Sequence, residues 1–154
     1  MTTTTFSPSN ATSTARPPVG DCPESWSQFN SSCYWVVSNV SEHKVWHAAQ
    51  EACRALHPAA NLASVNSKSE EDFLATLFLR DDYFWLGGSD VTTEGQWTWS
   101  DGSAFSYTNW YEGQGSGGRT ENCLSSHLFY GMVDGWYDDP CSFHNNYVCE
   151  ISMS

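Results

Sequence analysis

The chain has 154 residues, of which 40% are hydrophobic and 15% aromatic, enough for one buried core and one domain rather than two. Eighteen Asp and Glu against six Lys and Arg give a formal net charge of −12, which argues against nucleic acids and anionic bilayers as partners. The acidic excess suits a hard cation such as calcium, although it can also serve solubility alone.

The six cysteines are dispersed and include no Cys-x-x-Cys pair, so they favour a disulfide framework over a zinc or redox site. Because disulfides persist in oxidising compartments, we expect an extracellular protein, either secreted or the ectodomain of an anchored one. Sequons at Asn10, Asn30 and Asn39 point the same way and leave their glycosylation open. The first twenty residues lack the apolar centre of a signal peptide, so we expect the export signal to lie outside this sequence.

Composition divides the chain into a stalk and a folded part. Residues 1–20 are dominated by Thr, Ser and Pro and are predicted to be disordered, and residues 21–154 are predicted to form the domain. Apolar residues at helical spacing predict a first helix over residues 41–56, with Ser41 as its N-cap. A capping-box pattern beginning at Ser67 predicts the second helix, which carries an apolar stripe up to residue 78.

Short β patterns bounded by Gly, Asp and Asn surround these helices and predict an α+β domain. They cover residues 33–37, 61–65, 84–88, 96–99, 123–127 and 146–151. A long segment rich in Gly, Ser and Asn follows between residues 101 and 122, and loops of that length are usually functional.

Aromatic residues occur both in the predicted strands and near the long loop. Trp97 and Trp99 alternate and so share one strand face, where core packing is favoured over a sugar-stacking platform. Tyr111, Tyr130 and Tyr137 are better candidates for stacking on a ligand. No nucleophile elbow, reactive cysteine or phosphate-binding glycine loop occurs in the sequence, so no enzymatic activity is predicted.

Several short motifs follow one another in a fixed order. They are Cys22-Pro-Glu-Ser-Trp26 with Cys33-Tyr34, the helix from Trp46 to Cys53, Asn61-Leu-Ala-Ser-Val65, Ser67 to Phe73, Trp85-Leu-Gly-Gly88, and Trp136-Tyr-Asp138 before Cys141. In this order they resemble the long form of the C-type lectin domain family from residue 22 to residue 150. The resemblance implies a C-type-lectin-like fold, in which two helices pack on small antiparallel sheets beside a long ligand-binding loop region.

The resemblance also implies three disulfides, which pair Cys22 with Cys33, Cys53 with Cys149, and Cys123 with Cys141. The second of these closes most of the domain. By the chain-entropy argument a loop of that size stabilises the fold by roughly 4–5 kcal/mol.

The family binds sugar through calcium in its long loop, and the positions that correspond here are Gln114, Ser116, Glu121, Tyr137 and Asp138. Of these, Gln114, Glu121 and Asp138 are the implied calcium ligands, and a glutamine at residue 114 is typical of galactose-type members. Ser116 is a short neutral ligand, and Tyr137 replaces an asparagine of the family.

A glycine stands where the family has a proline between the first two ligands. Gly115 must be ordered from many conformations, which costs on the order of 1 kcal/mol. The resemblance therefore predicts calcium affinity weaker than in typical members, about millimolar.

An auxiliary calcium site is implied at Asp90, Glu94 and Asn122, although Gly117 stands where a further aspartate is expected. The alternative is that Asp90 and Glu94 only cap turns.

These residues predict calcium-assisted carbohydrate binding, galactose-leaning, with glycans or glycoproteins as partners. The main alternative is calcium-independent recognition of a protein or other non-sugar ligand, which the departures at residues 115, 116, 117 and 137 favour. A structural role at a mineral or ice surface has nothing specific in its support. The oligomeric state stays open.

Overall fold

A computed structural model describes residues 22–116 and 122–153. The predicted stalk, residues 1–20, lies outside the described residues. Within them the chain forms two α-helices and eight strands: β1 (Ser27–Phe29), β2 (Ser32–Val37), α1 (Trp46–Leu56), β3 (Ala60–Leu62), α2 (Lys68–Leu77), β4 (Tyr83–Ser89), β5 (Thr98–Trp99), β6 (Cys123–Phe129), β7 (Met132–Asp139) and β8 (Asn146–Ser152). In this described part of the chain, no helix is long and apolar enough to cross a bilayer.

The strands follow one path in the order β1-β2-β8-β4-β6-β7, with β3 paired to β8 and β5 paired to β4. Two antiparallel groups, β1-β2-β8 and β4-β6-β7, are joined by a short parallel pairing of residues 84–85 in β4 with residues 146–147 in β8. The predicted α+β class with two helices is therefore confirmed, and its small antiparallel sheets share one parallel junction.

The start of the second helix is as predicted. Ser67 caps α2, because its hydroxyl oxygen accepts a hydrogen bond from the Glu70 backbone N–H at 3.1 Å. The Glu70 carboxylate reaches back to the backbone N–H of Asn66 at 2.7 Å, one residue before the cap. Both ends of this hydrogen-bond pattern are local, which is why the sequence predicts it.

The start of the first helix was predicted wrongly. Ser41 lies in a short 3-10 turn whose N-cap is Asn39, and α1 begins only at Trp46. Between them Lys44 exchanges two backbone hydrogen bonds with Asn145, at 3.0 and 3.1 Å. This pairing holds the backbone extended, so helical geometry cannot begin before residue 45.

Strand bounds differ from the predictions mainly near the long loop. The predicted strands 61–65 and 96–99 are shorter in the structure, as β3 and β5. The long strand β7 has no counterpart in the predictions, because Asp134 and Gly135 interrupt its β pattern. Seven of its eight residues pair with β6, with a bulge near residue 127.

All three predicted disulfides are present in the structure. Cys53–Cys149 links α1 to β8 inside a core cluster that also contains Trp46 and Trp85. A second cluster surrounds the fully buried Trp136 of β7. Trp99 is 3% exposed and packs edge-on against Trp136, which confirms the core interpretation of Trp99.

Candidate functional site

The long loop is attached to the free edge of β7. The Tyr111 N–H donates to the Trp136 carbonyl at 2.9 Å, and the Trp136 N–H donates to the Asn109 carbonyl at 2.8 Å. Gly135 makes this approach possible, because a Cβ there would lie 2.9 Å from the Tyr111 backbone. The loop segment thus behaves as a short extra strand beside β7.

A buried carboxylate of α2 holds the same segment from the other side. Glu71 is 4% exposed and accepts three hydrogen bonds, from the Trp136 indole N–H at 2.6 Å, the Asn109 amide at 2.8 Å and the Tyr107 hydroxyl at 3.0 Å. Burial raises the pKa of Glu71, and the three donors oppose that rise. Glu71 therefore fixes the loop relative to both the helix and the sheet.

Glu71 was not among the residues singled out from the sequence. A signal was present, because residue 71 falls in helical register with the buried Leu74 and with Phe78, so a charged group stands on the apolar stripe of α2. A charge in such a position needs partners. The partners themselves, however, lie 36 to 65 residues further along the chain.

Two of the predicted calcium ligands, Gln114 and Asp138, meet in the structure. The Gln114 side-chain oxygen accepts a hydrogen bond from the Asp138 backbone N–H at 3.2 Å, and the Gln114 N–H donates to the Tyr111 carbonyl at 2.8 Å. Asp138 is 3% exposed. An amide oxygen has two lone pairs, so the Gln114 oxygen retains capacity for an ion.

The glycine between the first two predicted ligands is fixed by tryptophans. Gly115 has φ +95°, a value that proline cannot adopt, and its carbonyl accepts a hydrogen bond from the Trp97 indole N–H at 3.2 Å. A Cβ at this residue would lie 2.9 Å from the Trp110 ring. Close packing on Trp110 thus holds the segment where the family uses a proline. Ser116 is exposed at the end of the described segment, and Glu121 and Gly117 lie outside the described residues.

The predicted auxiliary site combines a turn cap with a buried carboxylate oxygen. Asp90 is 3% exposed; one of its oxygens accepts a hydrogen bond from the Gly95 N–H at 2.8 Å, as a turn cap does. Its Oδ1 is buried and has no hydrogen-bond partner among the described residues. The Asp90 N–H donates to the Asn122 carbonyl at 3.1 Å, which brings these two predicted ligands together, and Glu94 lies exposed in the same turn.

Tyr137 lies on the opposite face of β7 from Asp138, as neighbouring residues of a strand do. Its ring stacks on Tyr111 with centroids 5.1 Å apart and meets His127 edge-on at 5.5 Å. Partial burial, followed by the Asp134 carboxylate, raises the pKa of Tyr137 to about 12. The structure thus places Tyr137 in an aromatic group with Tyr111 and His127 beside the loop.

Both predicted sites consist of oxygen ligands, and Glu121 of the principal site lies outside the described residues. Within residues 22–116 and 122–153, no three His, Cys, Asp or Glu side chains gather closely enough to hold a metal. Among the described residues, each predicted site has one buried aspartate beside amide or backbone oxygens, and oxygen ligands of this kind are those that calcium prefers. The unpartnered Asp90 oxygen is the feature that a cation satisfies best.

Comparison with known proteins gives consistent results. A family model described as "Lectin C-type domain" matches residues 42–151. Lectin BRA-3 of Megabalanus rosa is 31% identical over 130 residues, which cover 83% of this chain and 76% of that protein. C-type lectin domain family 4 member M of Hylobates lar is 32% identical over 84% of this chain, which spans only 31% of that longer relative.

Solved structures agree with these sequence matches. The carbohydrate-recognition domain of cow CD23, crystallised in the presence of a GlcNAc2Man3 oligosaccharide, superposes with a TM-score of 0.75 at 32% identity. The superposition covers 87% of this chain and 98% of the CD23 domain.

Proposed function

Because this chain belongs to the lectin C-type domain family, whose members are binding proteins rather than enzymes, we propose that it binds carbohydrate outside the cell with the assistance of calcium. Residues 21–154 are the proposed binding domain, and residues 1–20 are the proposed stalk. Gln114, Ser116, Glu121 and Asp138 are the proposed residues of the principal site. Asp90, Glu94 and Asn122 are proposed for the auxiliary one.

The observation that carries the proposal is the contact between Gln114 and Asp138. These residues come from the long loop and from β7, 24 positions apart, and the hydrogen bond from the Asp138 backbone N–H places the Gln114 side-chain oxygen against the strand that carries the buried Asp138 carboxylate. The buried Asp90 oxygen gives independent support, because an unpartnered carboxylate oxygen is costly unless a cation neutralises it.

Calcium, when bound, supplies coordination positions at which sugar hydroxyls replace water, so binding is reversible and no covalent bond changes. Asp138 contributes the negative charge, and the Gln114 amide oxygen leans the site toward galactose. Tyr111 is 43% exposed next to this point and offers its ring to the apolar face of a sugar. Tyr137 supports that ring from below through their stacking contact.

Calorimetry with calcium tests the ion site. We expect the wild type to bind with a dissociation constant of roughly millimolar order, and Asp138→Ala to lose the heat. Asp134→Ala is the matched control, because Asp134 lies in the same strand, contacts His127 and is more exposed. Equal heats in the wild type and Asp138→Ala, or none in either, would reject calcium binding at this site.

Chromatography on galactose resin tests the sugar. The wild type should be retained in calcium and released by a chelator, whereas Asp138→Ala should pass through. Retention that survives the chelator contradicts calcium assistance. Retention on mannose resin instead of galactose contradicts only the galactose preference drawn from Gln114.

A second candidate function is calcium-independent recognition of a protein ligand. It is favoured by the way the loop is held: the Gly115 carbonyl is bound by Trp97, and its Cα packs on Trp110, so the segment has a fixed shape without an ion. A glycan array run with and without calcium separates the two candidates. Absence of binding to any glycan by the folded wild type, in both conditions, favours the second.

A further inference from the structure

The turn between β6 and β7 has a tyrosine where its geometry favours asparagine or glycine. Phe129 pairs with Met132, which leaves a two-residue turn of Tyr130 and Gly131. Their φ angles are +53° and +76°, and two positive values in succession define a turn in which Asn-Gly is the common pair. A tyrosine there is strained by its Cβ.

An aspartate outside the hairpin holds this strained turn in place. The two carboxylate oxygens of Asp81, in the connection between α2 and β4, accept hydrogen bonds from the Tyr130 N–H at 2.8 Å and from the Gly131 N–H at 3.1 Å. The turn is therefore pinned to the body of the domain. Its exposed side chains project from a rigid base.

The strained turn does not bury its apolar side chains in the core. Tyr130 is 83% exposed, Met132 is 71% exposed and Phe129 is 49% exposed, so these apolar side chains contribute little to the core. The Phe129 and Tyr130 rings contact each other, with centroids 4.3 Å apart. Strained backbone that folding does not require points to a use at the surface.

A shallow groove of about 220 Å³ adjoins the tip, between α2 and the start of β7. Its lining includes Ala75, Thr76, Met132 and Val133, together with the Lys68–Asp72 ion pair. An exposed aromatic anchor beside a groove with both apolar and polar lining is a common feature of protein-binding surfaces.

The charges around the hairpin tip indicate which kind of partner binds there. The carboxylates around the tip, Asp72, Asp81, Asp82 and Asp134, outnumber the cations Lys68 and Arg80 by four to two, and the chain as a whole carries −12. A second copy of this chain and an anionic membrane are both repelled, whereas a basic segment is attracted. The face of an exposed tyrosine also attracts arginine.

The tip is separate from the proposed calcium site. Asp138 pairs with Leu124 at the far end of β6, and Phe129 follows Leu124 by five residues. At 3.4 Å per residue the two places are about 17 Å apart along the strand. Binding at the tip therefore leaves the Gln114–Asp138 region free.

We propose that the hairpin tip, residues 129–132, docks a basic, partly apolar segment of another protein, with Tyr130 as the central anchor and the groove beside α2 receiving the apolar side chains. This surface goes beyond carbohydrate binding. It does not depend on calcium.

The test uses the full chain, labelled with ¹⁵N, in the presence of a chelator. The probe is a synthetic peptide of alternating Arg and Leu, and a peptide of alternating Arg and Ser controls for charge alone. We expect the Arg-Leu peptide to shift amide signals of residues 129–134 and 72–76, and the Arg-Ser peptide to shift the same signals less at equal concentration.

Tyr130→Gly is the decisive variant, because glycine adopts positive φ without strain and the fold is kept. It should weaken Arg-Leu binding by about tenfold or more. Phe143→Ala, which removes a half-exposed ring at the other end of β7, should leave the affinity unchanged. Equal binding of both peptides, shifts at other acidic surfaces, or an unaltered affinity in Tyr130→Gly would each overturn the proposal. Two further results would do the same: dimers that form through the tip, and glycan binding that is lost in Tyr130→Gly.

Discussion

Replacing Glu71 by glutamine tests how the long loop is held to the helix and sheet. The wild-type carboxylate accepts hydrogen bonds from Trp136 on one oxygen and from Tyr107 and Asn109 on the other. Glutamine keeps the shape but has only one acceptor oxygen. Its NH₂ must therefore face either the Trp136 indole N–H or the other two donors, and at least one buried donor loses its acceptor.

An unsatisfied buried donor costs about 1–3 kcal/mol. Part of that loss is offset, because burial raises the pKa of Glu71 and a neutral amide avoids burying a charge. We therefore expect Glu71→Gln to lower the free energy of unfolding by about 2 kcal/mol. Asp72→Asn is the control in the same helix; its carboxylate is exposed and pairs with Lys68 only at the surface, so the change should stay within about 0.5 kcal/mol.

Urea unfolding with the disulfides intact measures both variants, with tryptophan fluorescence as the probe of Trp136. Amide exchange of residues 107–111 adds a local reading, because the loop should open more often in Glu71→Gln while α1 is unaffected. An unfolding free energy within 0.5 kcal/mol of the wild type, or exchange that is faster everywhere equally, would refute the role assigned to Glu71.

Three further predictions concern other parts of the molecule. Burial raises the pKa of Glu150 from 4.5 to about 7, so the folded state binds the proton more readily than the unfolded chain. The contribution of Glu150 to stability should therefore rise as the pH falls from 7 toward 4.5. In urea titrations, Glu150→Gln should remove that part of the pH dependence. Gly115→Ala should destabilise the fold by about 1–3 kcal/mol, because residue 115 has a positive φ and an added Cβ would contact Trp110. Gly95→Ala should cost less, because Gly95 also has a positive φ but no atom near the added Cβ. Equal losses of stability in the two variants would contradict the role of packing on Trp110. In calorimetry, calcium should raise the melting temperature of Asp90→Asn less than that of the wild type, because the proposed site at Asp138 is intact in the variant. An equal rise in both would contradict a cation at the buried Asp90 oxygen.

Features with local causes, or with causes that repeat along the chain, could be predicted from the sequence. Ser67 caps α2 through a hydrogen bond to a residue three positions away, so the cap is legible in the sequence. Most of the strands were predicted from short β patterns bounded by Gly, Asp and Asn. The ordered motifs, taken with the resemblance that they carry, gave the disulfide pairing and the positions of the proposed ligands.

Features that depend on contacts between residues far apart in the chain became visible only in the folded structure. The start of α1 is set by the pairing of Lys44 with Asn145, a residue about a hundred positions away. No local sequence pattern predicts that contact. The same holds for Glu71, whose donors come from the long loop and from β7. Chain connectivity constrains near neighbours strongly and distant residues weakly. Therefore the placement of Gln114 against Asp138 is fixed by the folded sheet and by the packing that anchors the loop to it.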